Sequence, residues 1–150
     1  MESPIFLPGQ EAVGTLIALN KDVRKSLMKD HEKKILIIDP DGKERRTLAQ
    51  FLKKEYSQVE TGKGLTDAIK KLSEGYYSCL IMDVDLPEMK GYKAVSILKN
   101  IDPKLKVIMT TKKNSKILEA KVREQDIFFY FIKPFGKDEL KLAIKNAFIQ

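Results

Sequence analysis

The chain has 150 residues, 43% of them hydrophobic, which suffices for one well-formed core and is too little for two full α/β domains. Its formal charge is +7, all of it beyond residue 33, since residues 1–33 carry five basic and five acidic side chains; the lysines spread over every predicted helix, without the aromatic interleaving or helix-turn-helix spacing that nucleic-acid readout needs. A single cysteine excludes an internal disulfide, and no apolar run of membrane-spanning length or basic-then-apolar leader is present, so a cytoplasmic setting without a membrane span is expected.

Residues 1–33 read as an N-terminal extension. Within it, Val13, Leu16, Ile17, Val23, Leu27 and Met28 recur at helical spacing, which predicts an amphipathic helix over about 10–32, weakened by Gly14 and Asn20. Its apolar stripe suits a partner, a homodimer contact or packing on its own domain, and a partly disordered tail fits the same residues. His31, in the charged exit DHEKK, is expected in solvent. The main domain, 34–150, alternates regularly. Strands are predicted at 34–39, 58–61, 78–83, 106–111 and 128–132, and helices at 42–55, 64–74, 90–101, 114–125 and 136–149. Such alternation implies right-handed βαβ crossovers and a doubly wound, five-stranded parallel sheet covered on both faces. Cys79, inside the apolar run CLIM, is expected to be a core residue.

Four of the apolar runs end in polar residues of different kinds: ILII in Asp39, CLIM in Asp83, VIMT in Thr111 and FFYFI in Lys133. Parallel strands deliver their carboxyl ends to one edge of the sheet, so these four side chains can converge. Two carboxylates, a hydroxyl and an ammonium make a phosphoryl-handling set. The segments KKILIIDPDGKER, CLIMDVDLPEMKGYKAV, VIMTTKK and FFYFIKPF, in this order and spacing, resemble the motifs of the response-regulator receiver domain across about 34–150.

That resemblance implies a flavodoxin-like (βα)5 fold with strand order 2-1-3-4-5, and a phosphoacceptor signalling protein of a bacterial two-component system rather than an enzyme. It implies that Asp83 takes a phosphoryl group from a histidine kinase, a phosphotransfer protein or a small phosphodonor, with Mg2+ as cofactor. Lys133 would pair with Asp83 before transfer and with a phosphoryl oxygen after it. Thr111 would donate its hydroxyl to the phosphoryl group, and Tyr130 would act as the aromatic switch, turning a local charge change into a new surface around the fourth helix, fifth strand and fifth helix for a downstream protein. Pro134 matches a proline whose peptide bond is usually cis in the family.

The metal corner departs from the pattern. The family has two adjacent acids after the first strand, whereas here Asp39 is followed by Pro40. Magnesium keeps several waters and accepts one or two carboxylates, so Asp39, Asp83 and the backbone carbonyl of Asp85 form the expected ligand set, with Asp41 as a candidate substitute and the affinity lowered by about one to two orders of magnitude. Lys112, at a position commonly small in the family, either supplies part of the missing positive charge or obstructs access. Asp85 adds negative charge where attacking water would approach, which makes an atypical phosphoryl lifetime the expectation. Two other readings stand beside this one. One is a pseudo-receiver, a protein-interaction module not using phosphorylation. The other is a haloacid-dehalogenase-like phosphatase, in which Asp39 would be the nucleophile and Asp41 the acid/base; the absence of a cap domain and of a further acidic strand end speaks against it. No DNA-binding domain is recognisable after the last helix, so output through a partner protein or self-association is expected.

Overall fold

The computed structural model describes residues 33–149; the expected N-terminal helix and His31 lie outside that range. Five strands, β1 (Lys34–Ile38), β2 (Gln58–Gly62), β3 (Cys79–Asp83), β4 (Val107–Thr111) and β5 (Phe129–Ile132), alternate with five helices, α1 (Gly42–Lys53), α2 (Leu65–Glu74), α3 (Gly91–Ile101), α4 (Lys116–Arg123) and α5 (Lys137–Ile149). All strand pairs are parallel, in the order β2-β1-β3-β4-β5. The expected doubly wound sheet is therefore the observed one. Boundaries agree to within about two residues; the predicted helix over 114–125 is trimmed to α4 because Ser115 accepts the amide of Leu118 and sets the helix start at Lys116.

The apolar runs are continuous because both faces of the sheet are covered. Within each strand alternate residues serve opposite cores. Leu36, Ile38, Leu80, Met82, Val107 and Met109 pack with Ala68 and Leu72 of α2, Val95 and Leu98 of α3 and Val122 of α4. On the other face, Ile35, Ile37, Ile81, Ile108 and Phe131 pack with Leu52 of α1 and with Leu140 and Ile144 of α5. Cys79 belongs to this second core and is fully buried. Winding reverses between β1 and β3, so the crevice beyond their carboxyl ends is the place where such sheets bind ligands.

One helix start depends on a distant residue. Gly64 precedes α2 and has no side chain to cap it, and the carboxylate of Glu88, on the loop after β3, accepts the amides of Leu65 at 2.8 Å and Thr66 at 3.1 Å instead. These hydrogen bonds, the one from Thr66 first, hold the Glu88 carboxyl below its usual range. Glu88→Ala is expected to lower the unfolding free energy by about 1 kcal/mol in urea titrations, the usual effect of losing a helix cap; a change within error would show that solvent satisfies these amides equally well.

Candidate functional site

Strand parity decides what reaches the crevice. Asp39 follows Ile35 and Ile37 on the α1/α5 face, and Asp83 follows Ile81 on the same face. In the β3/β4 register Asp83 lies beside Thr110. Both carboxylates are buried, each residue 6% exposed. Lys133, just after β5, places its ammonium between them, 2.7 Å from Asp39 Oδ2 and 2.9 Å from Asp83 Oδ1. The Lys133–Pro134 peptide bond is cis, as expected.

The remaining carboxylate oxygens are held by backbone. The amide of Asp41 donates to Asp39 Oδ1 at 2.9 Å, closing a turn over Pro40, and the amide of Asp85 donates to Asp83 Oδ2 at 2.8 Å. Arg45 Nη1 donates to the Asp39 carbonyl at 2.7 Å. Burial pushes the Asp83 carboxyl up, and the hydrogen bonds from Lys133 and the Asp85 amide offset only part of that. Burial also opposes charge on Lys133, but the two carboxylates outweigh it and its ammonium is held more tightly than an ordinary lysine's.

Two threonines end β4, and their hydroxyls have different partners. Thr110 Oγ1 donates to Asp83 Oδ1 at 3.4 Å, whereas Thr111, one residue on and therefore on the opposite face, donates to the Lys113 carbonyl at 3.3 Å. In this structure, then, Thr110 rather than Thr111 is the threonine whose hydroxyl touches Asp83. Lys112 directly follows Thr111 and stands two residues after Thr110. Its ammonium lies 2.8 Å from Asp41 Oδ2 and 3.8 Å from Glu44, and with Asp39, Glu44, Thr110 and Lys133 it lines a cavity of about 410 Å³. Asp41 uses Oδ1 to cap α1 through the amides of Lys43 and Glu44. The hydrogen bond from Lys112 leads the causes that bring its pKa down to about 2. Pro40 is exposed. Asp85 touches Asp83 through its amide, and its own carboxylate pairs with Lys90. Tyr130 donates from its hydroxyl to Asn114 Oδ1 at 2.7 Å, tying β5 to the loop before α4.

Sequence reasoning missed Thr110, Glu44 and Arg45. Thr110 carries no signal of its own in a strand buried on both faces, and Glu44 and Arg45 carry none beyond lying in the first turn of a helix that starts beside Asp39.

A family model, described as the response regulator receiver domain, matches residues 35–145. The chain belongs to the response regulator receiver domain family. Among curated proteins this receiver domain is similar to the transcriptional regulatory protein SrrA of Staphylococcus aureus, 29% identical over 111 residues, which is 74% of this chain and 46% of SrrA. The chain thus spans about half the length of the curated relative it matches. Among solved structures it is similar to the beryllofluoride-activated receiver domain dimer of NtrC4, with 27% identity, TM-score 0.72 and coverage of 77% of this chain and 96% of that one. A CheY-like receiver domain protein from Methanospirillum hungatei JF-1, 24% identical, shares the fold with TM-score 0.72 over 78% of this chain and 94% of its own. Receiver domains are signalling domains of two-component systems, and the phosphatase reading of Asp39 and Asp41 gives way to that assignment. No helix among the described residues is long and apolar enough to cross a membrane.

Receiver domains generally use Mg2+ for phosphorylation. Among the described residues no group of three or more His, Cys, Asp or Glu side chains is arranged to hold a metal ion. Asp39 and Asp83 nonetheless both reach one ammonium nitrogen, so a cation between them would find two carboxylates, within what Mg2+ accepts when water supplies the remaining ligands.

Proposed function

We propose that Asp83 is the phosphoacceptor of this receiver domain, charged by a histidine kinase, a phosphotransfer protein or a small phosphodonor. The bridging of Asp39 and Asp83 by Lys133 at 2.7 and 2.9 Å, beside the Thr110 hydroxyl, carries this reading. One Asp83 oxygen attacks phosphorus in line. The bond from phosphorus to the donor's imidazole nitrogen or acyl oxygen breaks, and the leaving group keeps the electron pair. Lys133, relieved of one carboxylate, meets a phosphoryl oxygen, and Thr110 donates to another in the role expected of Thr111. Asp39 and Asp83, with the Asp85 backbone carbonyl, would hold a weakly bound Mg2+, which would neutralise phosphoryl charge; Asp41, already capping α1 and pairing with Lys112, is not among these residues.

Tyr130 would leave Asn114 as the loop after β4 closes on the phosphoryl group, changing the face formed by α4, β5 and α5. That face carries the exposed apolar side chains Ile117, Phe129, Ile132 and Leu142, as a docking surface for a protein partner requires. The similar NtrC4 receiver is a dimer, and a homodimer through the same face is one form such docking would take here.

Incubation with a small acyl phosphate and millimolar Mg2+, followed by intact mass measurement, tests the reading. One phosphoryl group is expected on the native chain and none on Asp83→Asn. Thr110→Val should slow labelling about tenfold, the loss of one hydrogen bond to a charged group, and Thr111→Val should leave the rate within about threefold. Absence of labelling at any Mg2+ concentration would return the chain to the pseudo-receiver reading.

A further inference from the structure

We propose that Lys112 is a second cationic arm of the phosphoacceptor site: it leaves Asp41 to meet the phosphoryl group on Asp83 and so replaces part of the charge that a metal would otherwise supply. This rests on Asp83 being the phosphoacceptor. The buried centre, Asp39, Asp83 and Lys133, has a net charge of −1. Converting the Asp83 carboxylate to an acyl phosphate makes that group approximately a dianion, so a further positive charge is needed beside it. The position that would carry a metal-binding acid in the family is Pro40, and the neighbouring Asp41 is already neutralised by Lys112.

Lys112 is placed for the task. It lines the same cavity as Thr110 and Lys133, the two side chains that touch Asp83 Oδ1. Its present partners are Asp41 and Glu44, in an ion pair whose side chains are 53% and 39% exposed for Lys112 and Asp41. Exposed pairs of this kind hold a lysine weakly, so a phosphoryl dianion in a buried, low-dielectric position outcompetes them. The pair also joins the loop after β4 to the first turn of α1, so its exchange would accompany the closure of that loop.

Labelling by a small acyl phosphate, followed by intact mass with EDTA and across a Mg2+ titration, tests this on the full chain, with Mg2+ affinity measured separately by calorimetry without phosphodonor. The native protein is expected to label in EDTA at a rate within about tenfold of its rate at saturating Mg2+. Lys112→Ala should lose about tenfold of the EDTA rate while its Mg2+-supported rate changes less than about threefold, and should bind Mg2+ several-fold more tightly because the negative charge of Asp41 is released. Lys112→Arg should restore labelling in EDTA. Equal EDTA rates for the native and Lys112→Ala proteins, or native labelling that needs Mg2+ altogether, would overturn the role of Lys112 and leave Asp83 as the phosphoacceptor. No labelling at saturating Mg2+ would instead overturn the phosphoacceptor reading and this inference with it.

Discussion

Lys133→Met is expected to lower the free energy of unfolding by about 3 kcal/mol at pH 7. Methionine keeps the length of the stem but leaves the buried carboxylates of Asp39 and Asp83 facing each other without the ammonium that bridges them. Burial already raises the Asp83 pKa, and losing its cation raises it further. A carboxyl whose folded pKa is raised contributes its full stability below the unfolded value, about 4, and loses it as pH rises through the folded value. The deficit of the variant is therefore largest at neutral pH and shrinks as pH falls toward 4. Urea unfolding at pH 7 and at pH 4.5 measures both quantities. A deficit below about 1 kcal/mol at pH 7, or one that does not shrink in acid, would mean that water rather than Lys133 balances the two carboxylates.

Gly91→Ala should have an effect of similar size for a steric reason. A Cβ on Gly91 would stand 2.5 Å from the Asp83 carbonyl oxygen and 3.1 Å from the Val84 Cα, both backbone atoms that cannot rotate away. The Gly91 amide donates to the Val84 carbonyl, so α3 starts in contact with the end of β3. Accommodating one methyl group requires moving either the helix or the strand end that presents Asp83. A loss of about 3 kcal/mol in urea unfolding is expected, at the upper end of overpacking effects, together with slower Asp83 labelling. Stability within about 1 kcal/mol of the native chain would show that the loop from Val84 to Lys90 relaxes freely.

The fold was legible because hydrophobic runs, helix periodicity and turn residues all agree. Strands rich in Ile, Val and Leu, separated by helices of about ten residues, admit few arrangements other than a parallel sheet with helices on both faces. Asp39, Asp83 and Lys133 were legible for the same reason, since each directly follows or ends an apolar run at the carboxyl edge. Thr110 was not. A strand buried on both faces shows no alternation of polar and apolar residues, so nothing in VIMTT marks which threonine faces Asp83, and a one-residue slip reverses the answer. The Glu88 cap on α2 and the Lys112–Asp41 pair were equally hidden, because their partners are 22 to 71 residues apart in the chain.

What the sequence determined by itself is the sheet, its winding and the edge where charged groups gather, because these follow from local periodicity and chain connectivity. Only the tertiary structure decided which hydroxyl touches Asp83, that Asp41 is occupied as a helix cap, and that Lys112 spans the mouth of the site. Those contacts depend on strand parity and on loops brought together by the β3–β4 register, and neither is encoded within any one segment.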